Sequence, residues 1–385
     1  MDRDLLEQAL AELGQPAYRA RQVWERACVG AASYEEMTAL PRNLRTRLAE
    51  RVPFSTLELE RRLEARDGTV KALFRTHDGH PVESVLMRYR DGRRSVCVST
   101  QSGCPLQCAF CASGQMGFRR NLSAWEIVEQ ALFFTRVVNS TEGSHSGSWD
   151  VAAGSGPEGT VQDAQARREP GRQRHQAAPE AGSAGREESP ARGLSNAALM
   201  GMGEPLMNIE AVLTALHTLP DLGIGARHTA ISTSGWVPGI DRLAGEGLAV
   251  RLALSLHAPD DELRRTLMPV TARFPIAEVI AACKRFYAAR RRKVLVEYLM
   301  LSGVNDRPEQ ARALGRLLNP KVFKLNLIPY NETGAFRGSS RTAVDSFRDT
   351  LARAGLEATV RVARGREINA ACGQLAGTAG AAGRT

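Results

Sequence analysis

The spacing of apolar residues along this 385-residue chain changes period twice. Residues 2–14 carry Leu5, Leu6, Ala9, Leu10 and Leu13 on one stripe, and residues 17–29 carry Val23, Trp24 and Ala27. Separations of three and four predict two amphipathic helices, punctuated by Gly14 and Pro16. A third helix is predicted after Pro41, with Leu44, Leu48 and Val52 inward. Over residues 56–98 the period falls to two. Four alternating runs, Leu57–Leu63, Thr69–Arg75, Pro81–Tyr89 and Arg93–Ser99, are divided by Asp67-Gly68, Asp78-Gly79 and Asp91-Gly92. Such dipeptides are turn formers, so these runs read as a β-meander. Glu83 lies between Val82 and Val85 and is expected to point opposite to them. A carboxylate on a mostly apolar strand is either a surface residue or a placed base.

From Cys97 onward apolar strands and amphipathic helices alternate. The predicted strands are Ala197–Gly201, His228–Ser232, Val250–Ser255, Val294–Met300 and Lys321–Ile328. The predicted helices are Ser123–Val138, opening on a Ser123/Glu126 capping box, then Ile209–Leu219, Pro238–Glu246, Ile276–Arg290, Pro308–Leu318 and Arg341–Ala354. Repeated βα units with buried strands predict an α/β fold, a parallel sheet closed or nearly closed into a barrel. Chemistry then belongs at the C-terminal ends of the strands. Residues 139–193 interrupt the pattern, with no Leu, Ile, Met, Phe or Tyr and only one Trp, Trp149. Too little apolar surface is available there to offset chain entropy, so disorder is expected for this insert and for the tail. The expected organisation is a helical domain at 1–54, a meander linker at 55–92, a barrel at 93–375 carrying the insert, and a tail at 376–385.

Composition sharpens this. Lys and Arg total 51 against 42 Asp and Glu, a net charge of +9. That excess suits a polyanionic partner, though a generally Arg-rich proteome would produce it too. Arg42, Arg45, Arg47 and Arg51 make the first three helices either an RNA-docking module or a plain cap with a solvated charged face. The N-terminus reads as no signal peptide, no apolar run is long enough to span a bilayer, and a reducing cytoplasmic location is expected. The seven cysteines are then free, metal-bound or catalytic.

Three of them, Cys104, Cys108 and Cys111, follow C-x3-C-x2-C on a Gly-rich loop. Clustered thiolates select zinc or iron–sulfur centres. Zinc sites ordinarily close with four protein ligands, and here the local donors stop at three. A [4Fe–4S] cluster on three thiolates keeps one iron open. This loop, with Phe110 before the third cysteine, resembles those of radical S-adenosylmethionine (SAM) enzymes. Together with Gly201-Met-Gly-Glu-Pro-Leu-Met-Asn208 and Asn369-Ala-Ala-Cys-Gly-Gln374, it makes nearly the whole chain outside the insert resemble the radical SAM adenine-C2 methyltransferases of 23S rRNA and tRNA.

The resemblance implies a partial (βα)6 radical SAM barrel, one [4Fe–4S] cluster on Cys104, Cys108 and Cys111, and two SAM molecules per turnover. It implies SAM contacts at Gly203, Glu204, Ser232, Ser255, Leu256, His257 and Asn331. Cys372 matches the cysteine that becomes S-methylated, Cys97 its resolving partner in a transient disulfide, and Glu83 the proton acceptor. Adenine C2 is electrophilic, so direct displacement at the SAM methyl group cannot reach it. The implied route loads a methyl on Cys372, makes it a radical, joins it to C2, and releases product as Cys97 attacks the Cys372 sulfur. Implied partners are 23S rRNA, tRNA and an electron donor such as flavodoxin or ferredoxin, with no membrane and a monomeric enzyme. The sister family methylating adenine C8 shares this architecture. A noncatalytic iron–sulfur RNA-binding protein is the different-class alternative, and the intact set Cys97, Cys372 and Glu204 argues against it.

Overall fold

A computed structural model of the chain describes residues 1–143, 193–331, 333–334, 336–361 and 364–376. Three helices open the fold: α1 (Arg3–Glu12), α2 (Tyr18–Cys28) and α3 (Arg42–Arg51). Asp2 caps α1 by accepting the Leu5 N–H at 3.0 Å. The stripe residues Leu6, Leu10, Val23, Trp24, Leu44 and Leu48 are buried. Trp24 meets Trp125 edge to face at 5.7 Å, which seats the helical module on the barrel.

The meander follows as β1 (Leu57–Glu64), β2 (Val70–Thr76), β3 (Pro81–Arg88) and β4 (Arg94–Val98), all antiparallel neighbours. A small ribbon, β5 (Gln101–Ser102) with β6 (Arg120–Asn121), brackets the cysteine loop and its single helical turn α4 (Ala112–Gln115). Then come α5 (Ala124–Gly143), β7 (Asn196–Leu199), α6 (Ile209–Thr218), β8 (Thr229–Thr233), α7 (Val237–Gly245), β9 (Arg251–Ser255), α8 (Asp261–Leu267), α9 (Ile276–Arg290), β10 (Val294–Met300), α10 (Pro308–Leu317), β11 (Phe323–Pro329), α11 (Arg341–Arg353) and β12 (Ala358–Val360).

Ten strands form one sheet in the order β1-β2-β3-β4-β7-β8-β9-β10-β11-β12. From β4 onward every pairing is parallel, because each return runs through a helix packed on the outer face. Six βα units result, the expected barrel count. The barrel is partial: β1 and β12 are the free edges of the sheet. The meander extends this sheet, with β4 joining β3 on one side and β7 on the other.

Three details depart from the sequence expectations. The α5 helix runs on to Gly143, so the first residues assigned to the insert are helical; its remainder, 144–192, lies outside the described residues, as do tail residues 377–385. The short elements α8 and β12 have no counterpart among the predicted ones, being too brief to show a period. Glu83 shares its face with Val85, because side chains two apart on a strand point the same way; only Val82 and Ser84 oppose it. It is also buried, at 2% exposure, and so is not a surface residue.

Candidate active site

The cysteine loop is held by its own backbone. Gly103 adopts φ +75°, and a Cβ there would fall 1.8 Å from the Gly117 carbonyl oxygen, so only glycine lets the two ends of the loop cross. The Cys104 N–H donates to that same oxygen at 3.3 Å, and the Cys111 N–H donates to the Cys108 carbonyl at 3.1 Å. Ser123 and Glu126 form the expected capping box on α5, while Arg120 bridges Glu126 and Asp78. That bridge ties the loop's exit to a meander turn.

Burial pushes the Cys104 thiol up to about 12 and the Cys108 thiol well above its ordinary value, with Cys111 raised as well. After desolvation, each raises the others or is raised by a neighbouring thiol. Among the described residues no three His, Cys, Asp or Glu side chains already stand in metal-ligating geometry. The donor chemistry nonetheless fits an iron–sulfur cluster: three soft sulfurs on one loop, with Cys104 and Cys108 buried and Cys111 half-buried. A metal claims the thiolate form, and the cost of deprotonating buried thiols is then met by ligation.

One cavity opens at the C-terminal ends of the parallel strands. Its wall includes Val85 and Met87 of β3, Cys97 of β4, Ser232 of β8, Ser255 of β9, Glu297 and Leu299 of β10, and Ile328 and Pro329 of β11, with Cys111, His257, Asn331 and Cys372 from the loops. The curl of the sheet thus brings Cys97 and Cys372 to one space beside the cysteine loop. Desolvation pushes the Cys97 thiol up to about 12, with Cys372 the next cause. The Cys372 segment is tied down through its backbone. The Gly373 carbonyl accepts the Ala112 N–H at 2.9 Å, and the Leu375 carbonyl accepts the Ser113 hydroxyl at 2.5 Å. Asn331 reaches from Nδ2 to the Cys372 carbonyl at 3.5 Å and accepts from Arg366 at 2.9 Å.

The other sequence-derived candidates divide into wall and support. Ser232 and Ser255 stand on the wall with their Oγ atoms 3.4 Å apart. His257 is on the wall at φ +59°, edge-on to Phe110 at 4.8 Å. Its Nδ1 accepts the Leu299 N–H at 3.0 Å, and burial followed by the Arg264 charge lowers it to about 3, so the ring is neutral. Leu256 is fully buried and donates its N–H to the Glu297 carbonyl. Gly203 and Glu204 lie behind the wall. A Cβ on Gly203, at φ +103°, would strike the Gln101 side chain at 2.6 Å. The buried Glu204 carboxylate accepts N–H groups of Ser234 at 2.7 Å and Leu206 at 3.2 Å. Glu83 lies just behind Val85, ion-paired with Lys71 at 3.0 Å and accepting the Ala376 N–H at 2.9 Å.

The structure adds wall residues that the sequence reading passed over. Glu297 is 4% exposed; Asn326 donates to its Oε2 at 2.9 Å, while Oε1 has no hydrogen-bond partner among the described residues. Desolvation raises its pKa, opposed by Arg361. Arg361 lies beside Cys372, Glu297 and Cys97, and its pKa is raised, chiefly through its electrostatic coupling to Cys372. Tyr89, at the mouth, is flanked by the guanidinium groups of Arg364 at 4.5 Å and Arg93 at 4.7 Å. The signal for Glu297 was the one noticed at Glu83: a carboxylate inside an apolar strand, here Val-Leu-Val-Glu-Tyr-Leu-Met.

Residues 166–314 match the Radical SAM superfamily, a stretch that begins after the cysteine loop. The chain is 44% identical to a probable dual-specificity RNA methyltransferase RlmN from Chloroflexus aurantiacus, over 97% of this chain and 90% of that one. It is 40% identical to the dual-specificity RNA methyltransferase RlmN of Anaeromyxobacter dehalogenans, over 99% of this chain and 91% of that one. Among solved structures, a radical SAM methyltransferase from Sphaerobacter thermophilus superposes with a TM-score of 0.81 at 39% identity, covering 98% of both chains.

Proposed function

The chain belongs to the RlmN-type radical SAM RNA methyltransferases, and from that premise we propose that it methylates C2 of an adenine in 23S rRNA and in tRNA through a methyl group carried on Cys372. The carrying observation is the meeting of Cys97 and Cys372 on one cavity wall, beside Cys111, Ser232, Ser255 and His257. Family membership implies a [4Fe–4S] cluster and SAM. Cys104, Cys108 and Cys111 would hold the cluster; Ser232, Ser255, His257 and Asn331 would line the SAM site, with Gly203, Glu204 and Leu256 shaping it from behind.

Cys372 first acts as nucleophile, its sulfur taking a methyl group from one SAM. Cluster and second SAM, when bound, supply a carbon-centred radical that takes one hydrogen atom from that methyl group. The Cys372 methylene carbon then bonds to adenine C2, and the unpaired electron this leaves on the ring passes to a one-electron acceptor such as an oxidised flavodoxin or ferredoxin. Glu83, a carboxylate on the cavity-facing side of β3, takes the C2 proton. Cys97 attacks the Cys372 sulfur, forming a disulfide as the base departs with the carbon–sulfur electron pair; a proton taken up by that carbon completes the methyl group, and an external dithiol resets the cysteine pair. A one-electron donor such as flavodoxin or ferredoxin would feed the cluster. The adenine must leave its stack to enter so enclosed a cavity, and the Arg93–Tyr89–Arg364 stack at the mouth offers charge for RNA backbone. We take the enzyme to act as a monomer in the reducing cytoplasm. Among the described residues no helix is long and apolar enough to cross a membrane.

The test is an anaerobic turnover with SAM, reductant and unmodified 23S rRNA fragment or tRNA, followed by nucleoside mass spectrometry. 2-Methyladenosine is the expected product. 8-Methyladenosine would move the chain to the sister chemistry, and RNA left unmethylated while SAM is still cleaved would remove the proposed substrates.

A further inference from the structure

Arg264, on α8, is fully buried. Its Nε donates to the Leu256 carbonyl at 3.2 Å and its Nη1 to the Thr271 hydroxyl at 3.0 Å. Its Nη2 donates to the carbonyls of Ser234 at 2.6 Å and Ser255 at 3.2 Å. Every one of these acceptors is neutral. Burial lowers the guanidinium only to about 10, so it stays charged at neutral pH. Among the described residues Arg264 forms no ion pair, and a buried charge without a counter-charge is among the costliest features a fold can keep.

Its surroundings show where the counter-charge belongs. Of the anion-forming groups acting on Arg264, Cys108 leads, ahead of Asp261 and Cys283. The Asp261 carboxylate is committed to the Ile276 N–H at 2.7 Å, and Cys283 is a thiol pushed up to about 12 by its burial. The α8 helix is also fastened to the cysteine loop, its Leu267 carbonyl accepting the Ala109 N–H at 2.9 Å. The guanidinium therefore belongs to the same rigid frame as the loop, and its carbonyl partners are the ends of β8 and β9 that shape the cavity.

We propose that Arg264 is a positioning residue that serves as the fixed counter-charge to the anionic iron–sulfur centre on Cys104, Cys108 and Cys111, raising its reduction potential and so easing the one-electron reduction that precedes SAM cleavage. This rests on the reading that the loop holds the cluster. Net charge, hydrogen bonding and burial set the potentials of such centres, and a cation in a low-dielectric interior favours the added electron.

The test is an EPR-monitored dithionite titration of the reconstituted full chain, with iron and sulfide counted in each sample. Arg264→Gln is expected to lower the reduced-to-oxidised ratio at a fixed potential at least tenfold, about 59 mV for one electron. Arg264→Lys is expected to stay within about threefold of the wild type. Cys283→Asp keeps the guanidinium but gives it a carboxylate partner inside the core, and should shift the potential in the same direction as Arg264→Gln. An unchanged potential in Arg264→Gln overturns the proposal; if that variant does not fold, an unchanged potential in Cys283→Asp does so. Equal shifts in Arg264→Gln and Arg264→Lys would assign the effect to the hydrogen-bond frame instead of the charge, which also overturns it. A wild type that binds no iron and sulfide sinks the cluster reading itself, and this inference with it.

Discussion

Two groups of thiols sit a short way apart in this molecule and are built on opposite principles. Cys104, Cys108 and Cys111 share one short loop, and a glycine crossing and a few backbone hydrogen bonds suffice to hold them. Cys97 and Cys372 come from β4 and from the far end of the described chain, and only the curl of the sheet makes them neighbours. The first group is a local motif that a fold carries; the second is a product of the fold. The first demands ligation, since three mutually repelling thiolates need a metal to persist. The second keeps one free thiol facing another, as sequential covalent chemistry requires.

The contrast is broken most severely at the loop. Cys108→Ala should drop reconstituted iron from about four per chain to nearly none, with all methylation lost; iron analysis and nucleoside mass spectrometry would show it, and a variant that still reduces and cleaves SAM would remove Cys108 from the ligand set. Next, Cys97→Ala should keep its cluster but lose turnover by roughly a hundredfold or more. Its RNA should remain attached to the protein on a denaturing gel. Full turnover in Cys97→Ala would strip the pair of its resolving role.

A smaller effect is expected at the wall between the two groups. Glu297→Gln removes the charge behind the unpartnered Oε1 and should raise the KM for SAM about tenfold, with a lesser change in kcat. Steady-state kinetics with saturating RNA would decide it, and an unaltered KM would place Glu297 outside the SAM site.

The smallest effect concerns a thiol in neither group. Burial pushes Cys283 up to about 12 from an ordinary value near 9, so the folded state holds its proton after the unfolded chain has released it. The stability this confers is complete below about pH 9 and is lost as pH rises towards 12, by roughly 1.4 kcal/mol per pH unit for one thiol. Cys283→Ala should therefore flatten the fall in the urea midpoint of the cluster-free protein between pH 8 and pH 10. An unchanged slope would show that other groups carry it.

How much of this was readable beforehand follows the same division. Long periodic stretches such as Val294–Met300 and Ile276–Arg290 were placed to the residue, because their burial pattern is written in their own spacing. The cysteine loop was equally plain. The short α8 helix left no periodic trace, and with it Arg264 went unread, since nothing in Asp-Glu-Leu-Arg-Arg marks one arginine as buried and its neighbour as not. Glu297 was missed for a related reason. A carboxylate in an apolar strand signals a site only once the cavity in front of it is known. Glu83 is visible in the sequence, yet that its face of the strand is the one turned to the cavity comes only from the structure, where Val85 and Met87 on that face line the wall.

The fastening of Cys372 at the far end of the described chain has a consequence for synthesis. A ribosome delivers the polypeptide in order, and domains assemble from the N-terminal side as they emerge. A nascent chain whose last stretch still occupies the exit tunnel already has β4, with Cys97, and the cysteine loop, but no methyl acceptor facing them. The pair of Cys97 and Cys372 can therefore act only after the segment carrying Cys372 has cleared the tunnel, later than β4 and the cysteine loop.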